Sequence, residues 1–309
     1  MKIAFIGYGS IARRHIKNLF EILKKREVNF TIDVFRHSEI VNERDSIIDK
    51  YVSNVYREKD LEKFSYDIIF ITNPTAFHLT TMERCAKLSK YLFIEKPICN
   101  RTDMPISQTC LDNRSRYYVA CPLRYMAVLQ YLKEKISLND VYSVRAISSS
   151  FLHDWRPGVD YRKTYSADKK LGGGVSIDLI HEWDYLTYFF GFPQNVCKFE
   201  KKVSNLEITS DDLAVYIGEY KDKIIELHLD YFGRKVIREL MLFTREDTIT
   251  IDLIENKIVF EKQGKEIVLH DDRDSFQKRE LCHFLDIVDG KIENDNDICN
   301  AMKVLKIAK

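Results

Sequence analysis

One short segment constrains this chain more than any other. Gly7-Tyr8-Gly9-Ser10-Ile11-Ala12 is a GxGxxA pattern between an apolar run at 2–6 and a stretch of helical spacing at 10–26. A turn in that position suits a dinucleotide. Gly7 permits the tight turn, Gly9 lets the backbone approach a pyrophosphate, and Ala12 lets helix and strand pack closely. The helix N-terminus then favours the anion. Ser10 is placed to cap that helix, and Ser10 and Ile11 complete the candidate cofactor loop. A purely structural glycine turn is the alternative, and the flanking strand and helix argue against it.

The segments that follow repeat the rhythm. Residues 30–35, 67–72, 91–94 and 117–121 read as further buried strands, with helical spacing at 77–89 between two of them. Strands alternating with helices predict a parallel, doubly wound sheet of the α/β class. After about residue 140 the pattern changes. A long strand at 141–150 leads through a loop to a helix at 174–190. Mostly β-like segments follow at 196–203, 212–220, 223–232, 235–244, 247–254 and 257–261, and helices at 275–289 and 297–308 close the chain. The expectation is an N-terminal Rossmann domain over 1–122 and a C-terminal α+β domain over 123–309 with a large, mainly antiparallel open sheet. At roughly 150 residues per domain, 309 residues suit two domains. The sheet face not covered by its own helices suits a homodimer or homotetramer.

Composition removes other classes. The 48 Lys and Arg against 47 Asp and Glu leave a net charge of +1, which gives no electrostatic reason for a nucleic-acid partner. No apolar run approaches the ~18 residues of a membrane helix, and 2–6 is too short for a signal sequence. Seven scattered Cys without a CxxC pair read as reduced thiols of a cytoplasmic protein. The His residues show no metal-ligand spacing, so no metal is expected.

The second strand ends Phe35-Arg36-His37-Ser38, without the terminal acid that holds an NAD ribose. Arg36 with polar neighbours suits a ribose 2′-phosphate, which favours NADP within an NAD(P) reading. Asp33 lies inside the strand, too early for the ribose.

Two further segments carry a resemblance. Glu95-Lys96-Pro97 ends the strand at 91–94. About 75 residues later comes Gly172-Gly173-Gly174, then Asp178, His181-Glu182 and Asp184, a GGG-x3-D-x2-HE-x-D pattern. With the glycine turn and Asn73-Pro74-Thr75-x-x-His78, the chain resembles the Gfo/Idh/MocA oxidoreductases over nearly its whole length. The resemblance implies a Rossmann domain, a C-terminal domain with a large open sheet, and nicotinamide-dependent chemistry on sugars, cyclitols or sugar nucleotides. It also implies that Asn73, Pro74, Thr75 and His78 lie along the cofactor, and that Arg124, in Cys121-Pro122-Leu123-Arg124-Tyr125, lies beside it. In many relatives the acid stands four residues before the His, where this chain has Ile177.

Residue chemistry supports the same sites. Lys96 sits at the C-terminal end of a parallel strand, where ligands of such sheets collect, and a Lys there serves as proton donor or acceptor. Pro97 fixes the backbone after it, in cis or trans, Glu95 orients the Lys or caps backbone groups, and Glu95 and Lys96 are also counted among the cofactor contacts. His181 titrates near neutrality and suits proton relay, and Asp178, three residues earlier, is expected on the same helix face. Lys96, His181 and Asp178 are thus the candidate catalytic set. The loop at 151–170 offers His153, Trp155, Arg156, Tyr161 and Arg162 as substrate contacts beside Lys96, Asp178 and His181. Aromatics stack on sugars and Arg forks bind phosphate or carboxylate, which suggests an anionic sugar. Two other readings share the fold: a non-enzymatic nucleotide-binding regulator, and a redox-assisted lyase or hydrolase. Retention of both Lys96 and His181 favours an enzyme.

Overall fold

In the computed structural model of the chain, which describes residues 1–37 and 45–309, the apolar runs of the first half become parallel strands. Chain contacts divide it into two units, Met1–Pro122 with Arg273–Lys303, and Leu123–Asp272 with Val304–Lys309. A single boundary after residue 122 therefore misses that 273–303 belongs to the first unit.

The first unit runs β1 (Lys2–Ile6), α1 (Ser10–Lys25), β2 (Thr31–Arg36), α2 (Ser46–Tyr51), β3 (Asn54–Arg57), β4 (Tyr66–Ile71), α3 (His78–Cys85), β5 (Ser89–Ile94), α4 (Gln108–Asp112) and β6 (Tyr117–Val119). Among the described residues these strands form a six-stranded sheet in the order β3-β2-β1-β4-β5-β6, parallel throughout. This is the doubly wound Rossmann arrangement. Register explains its core. Phe5 pairs with Phe70, Phe70 with Phe93, and Phe93 with Tyr118, so four rings line up across four strands. Phe5 stacks on Phe70 at 4.5 Å and Phe70 on Phe93 at 4.8 Å. Phe284, 191 residues further on, meets Phe93 edge-on at 5.2 Å. Each buried ring contributes about 1.5–3 kcal/mol, and each pair about 0.5–1.5 kcal/mol more.

The second unit runs α5 (Ala127–Lys135), β7 (Val141–Phe151), α6 (Val175–Asp178), α7 (His181–Phe190), β8 (Asn195–Lys201), β9 (Leu213–Glu219), β10 (Ile224–Asp230), β11 (Phe232–Thr244), β12 (Thr248–Asp252), β13 (Lys257–Phe260) and β14 (Lys265–Val268). Its eight-stranded sheet has the order β14-β13-β12-β11-β7-β10-β9-β8. Only the β7–β10 pair is parallel among the described pairs, so the sheet is mainly antiparallel. Trp183 of α7 is fully buried and meets Tyr216 of β9 edge-on at 5.5 Å, which seats that helix on one face. The other face presents Ile217 and Val236 to solvent.

The chain then forms α8 (Arg273–Val288) and α9 (Ile298–Ala308). α8 packs on α1, and its Glu280 accepts the main-chain N–H of Cys121 at 2.5 Å, which ties it to the first unit. The last residues serve the second unit, where the Tyr216 hydroxyl donates to the Ala308 carbonyl at 2.7 Å. No described helix is long and apolar enough to cross a membrane.

Candidate functional site

In the first unit the glycine turn sits between β1 and α1. Gly7 has φ +92°, and a Cβ there would stand 2.7 Å from the Asn73 Cα and main-chain N. Only glycine lets the β1 and β4 ends approach so closely. The Thr72 hydroxyl locks this approach by donating to the Ile6 and Gly7 carbonyls at 3.1 and 3.0 Å. Gly9 is different. It occupies the N-cap position in extended backbone, and a Cβ there would meet nothing within 4 Å. Ser10, read as the cap, is instead the first residue of α1, and no side chain caps that helix. Its first turn carries no acid.

These features fit a dinucleotide. Gly9 leaves open space over the uncapped N–H groups of Ser10, Ile11 and Ala12 at a positive helix end. A second observation agrees: Asn73 Oδ1 is buried without a hydrogen-bond partner among the described residues, while its Nδ2 donates to Thr81 Oγ1 at 2.8 Å. Pro74 is exposed and Thr75 partly so, on the same loop.

At the β2 end the Arg36 guanidinium lies 5.4 Å from the Tyr8 ring centre, and the Arg13 guanidinium 4.7 Å from it. Arg13 also pairs with Asp45 at 2.7 Å. Tyr8 and Arg13 were not singled out from the sequence. Asp33 is committed elsewhere, accepting from Asn54 Nδ2 and from the Tyr66 hydroxyl, both at 2.9 Å. Ser38 lies outside the described residues.

His78, expected along the cofactor, faces the main chain of that same Asn73 loop. It is buried, with Nδ1 2.8 Å from the Pro97 carbonyl and Nε2 2.9 Å from the Asn73 carbonyl. Each ring nitrogen faces a main-chain carbonyl and the one that carries the proton donates, so the ring is wedged between the Asn73 loop and the segment after Lys96. The Lys96–Pro97 peptide is cis. Glu95 is buried, its Oε2 accepts the Lys96 N–H at 3.2 Å, and its Oε1 lies 2.6 Å from His15 Nε2. Burial opposes ionisation of Glu95. The His15 hydrogen bond, with Lys96 beyond, outweighs it and holds the carboxyl below its ordinary value. His15 was read from the sequence only as a helix-face residue. Its spacing of three after Ala12 carries no signal that a carboxylate waits on another strand.

In the second unit the expected single helix at 174–190 is broken. Leu179 has φ −99° and ψ 29°, outside the helical region, so Asp178 ends α6 and His181 begins α7. The two do not share one helix face. Asp178 is nearly buried, and its two oxygens accept from the Tyr165 and Tyr231 hydroxyls, each at 2.5 Å. The fully buried Tyr231 phenol is pushed well above its ordinary pKa by burial and by the Asp178 carboxylate, so it stays a donor. Trp155 meets Tyr231 edge-on at 5.2 Å, and the Arg156 guanidinium lies 5.9 Å from the Tyr165 ring centre. The structure thus gathers Trp155, Arg156, Tyr165, Asp178 and Tyr231. Gly173 seats the loop: a Cβ there would lie 2.1 Å from the Tyr165 carbonyl. Tyr231 was missed because it stands 53 residues from its carboxylate.

His153, Tyr161 and Arg162 line a different feature, an open cleft of about 750 Å³ that also includes Asp160 and Glu207. Arg162 is engaged there by Asp160 at 2.9 Å and Glu207 at 3.1 Å, so internal carboxylates take the fork expected for an anion. Arg124, expected beside the cofactor, has a carboxylate of its own unit as partner. It is buried, bonds both Asp184 oxygens at 2.9 and 2.7 Å, and lies 4.5 Å from the Tyr188 ring centre. Glu182 pairs with Arg238 of β11 at 2.6 Å, holding α7 to the sheet. No group of three or more His, Cys, Asp or Glu among the described residues could hold a metal.

Comparison with known proteins bears on both units. Residues 1–109 match the family model of the Gfo/Idh/MocA oxidoreductases with an NAD-binding Rossmann fold, and residues 133–233 match that of the family's C-terminal alpha/beta domain. No curated protein sequence matches the chain. Among solved structures, UDP-N-acetylglucosamine 3-dehydrogenase from Acidithiobacillus ferrooxidans is similar with a TM-score of 0.76 and 17% identity, over 100% of this chain and 95% of that one. The WlbA dehydrogenase from Bordetella pertussis, in complex with NADH and UDP-GlcNAcA, gives 0.79 and 15% over 99% and 93%. The myo-inositol 2-dehydrogenase from Lactobacillus plantarum gives 0.77 and 18% over 100% and 95%. At such identities the likeness is one of fold.

Proposed function

Because the chain belongs to the Gfo/Idh/MocA oxidoreductases, we propose that it is an NAD(P)-dependent dehydrogenase acting on a carbinol carbon of a sugar, cyclitol or sugar nucleotide. The observation that carries this reading is the open cradle over Gly9 in the same unit as Lys96 at the end of β5. Gly7, Gly9, Ser10, Ile11, Ala12 and Asn73 would hold the dinucleotide, whose nicotinamide takes up or releases a hydride. The chain's own part is the proton. Hydride departure from a carbinol carbon becomes easier as its hydroxyl proton is withdrawn, and Lys96 Nζ and the His181 ring supply groups for that transfer. Asp178, turned towards two phenols, holds Tyr165 and Tyr231 in place beside Trp155 and Arg156, which would contact the sugar.

Arg36, with Asp33 committed to Asn54 and Tyr66, supports NADP over NAD. The substrate class is taken as anionic, and the similar proteins acting on UDP-sugars support trying nucleotide sugars first. The exposed Ile217 and Val236 on the open face of the eight-stranded sheet support pairing with a second copy. The test is a panel of UDP-sugars, sugar acids and inositols, read by nicotinamide absorbance with NAD and NADP. Turnover of one class that is lost in Lys96→Ala supports the reading. A protein that binds the nucleotide and turns over none of them overturns it.

A further inference from the structure

Beneath Lys96 lies a buried charge that the proposed chemistry does not use. His15 comes from α1 and Glu95 from the residue after β5, 80 positions apart, yet they meet at 2.6 Å. The imidazole is 1% exposed and sits beside Phe93 at 5.2 Å and Phe70 at 6.0 Å. An apolar residue would fill that place without the cost of burying a polar ring. The histidine is therefore explained by its partner.

The protonation state follows from geometry. His15 Nδ1 is buried with no hydrogen-bond partner among the described residues. An imidazolium would leave an N–H donor stranded there, which is costly. A neutral ring with its proton on Nε2 strands only a lone pair and donates to Glu95 Oε1. The pair then carries one net negative charge, on Glu95. The carboxylate's other oxygen accepts the Lys96 main-chain N–H, and its charge interacts with the Lys96 amine. The other titratable group acting on Glu95 is His78 of α3, whose nitrogens face the Pro97 and Asn73 carbonyls. Glu280 of α8 is turned to the Cys121 N–H.

We infer that His15 is a positioning residue for Lys96: by donating to Glu95 it keeps a buried carboxylate ionised and aimed at the Lys96 main chain, so that the Lys96 amine titrates beside a fixed negative charge. This rests on the reading of Lys96 as a proton-handling group. A neighbouring anion favours the ammonium form, so its removal lowers the amine's pKa. Without the His15 donor, burial is opposed less strongly at Glu95 and its carboxyl titrates higher than in the native protein. The two groups then titrate as a coupled pair.

The test needs no substrate. Reductive methylation with isotopically labelled formaldehyde gives each lysine amine an NMR signal, and the one missing from Lys96→Arg is Lys96. In the native protein that signal is expected to follow a single titration step. In Glu95→Gln the step moves down by about 0.5 pH unit or more. In His15→Leu an additional inflection enters between about pH 5 and 8, reporting Glu95. The double variant behaves as Glu95→Gln alone. His15→Gln, which keeps a donor and guards against a folding defect in His15→Leu, restores the single step. An unchanged Lys96 titration in Glu95→Gln, or no added inflection in a folded His15→Leu, overturns the inference. Failure of the reading beneath it is separate and shows as full turnover in Lys96→Ala.

Discussion

Replacing Gly9 by Val separates the ligand's needs from the fold's. The residue has φ −90° and a Cβ that would meet no atom within 4 Å. Its backbone is open to any side chain, so the change in stability stays within about 1 kcal/mol, chiefly from a poorer N-cap. The same empty space is where a pyrophosphate would approach the N–H groups of α1. A branched side chain there displaces the phosphate from one or two charge-assisted hydrogen bonds, each contributing about 1.5–3 kcal/mol. A loss near 3 kcal/mol weakens dinucleotide binding by roughly 10²-fold. Titration of NADPH fluorescence, beside thermal unfolding of the same preparation, reads both quantities. Gly7→Ala is the counterpart. Its Cβ meets Asn73 backbone at 2.7 Å with φ at +92°, so about 2–4 kcal/mol of stability is lost before any ligand is considered. Native dinucleotide affinity in a folded Gly9→Val refutes the cradle.

Arg36→Asp is expected to reverse a preference for NADP into one for NAD in parallel calorimetric titrations, and equal native affinities would remove Arg36 from the argument. Lys96→Ala should lower turnover by ~10²-fold or more with cofactor affinity nearly intact, and His181→Ala should fall similarly but recover partly with added imidazole. Glu95 titrates lower in the folded protein than in an unfolded chain, so its contribution is complete above the ordinary carboxylate value and fades as pH falls through the folded one. The stability advantage of the native protein over Glu95→Gln, measured by chemical denaturation, should therefore shrink below about pH 4.

Legibility in the sequence followed the range of the cause. The Rossmann half could be read because each strand's signal lies within its own few residues: 67–72 and 91–94 are plain apolar runs, and both became strands at β4 and β5. β3 escaped because Asn54–Arg57 has four residues and is only half buried, and β14 because Lys265–Val268 is nearly all exposed. The break at Leu179 escaped because no Gly or Pro marks it. Site residues divided in the same way. The glycine turn and Glu95-Lys96-Pro97 announce themselves locally. The roles of His15, Tyr231 and Asp184 depend on partners 80, 53 and 60 positions away. Arg124, Arg162 and His78 have the right chemistry for ligands, but their donors face internal carboxylates or carbonyls. A one-dimensional pattern shows a donor's type and not which acceptor claims it.

The return of residues 273–303 to the first unit has a consequence for how the protein is made. A ribosome adding about 5–20 residues per second releases the six parallel strands long before α8 exists. During that interval the Phe70, Phe93 and Tyr118 rings lack the Phe284 that covers them. The Cys121 N–H likewise waits for Glu280. The nucleotide-binding half is thus encoded first and finished nearly last. A nascent chain stalled at residue 122 should expose an aromatic sheet face to chaperones, and supplying 273–303 as a separate peptide should quench it.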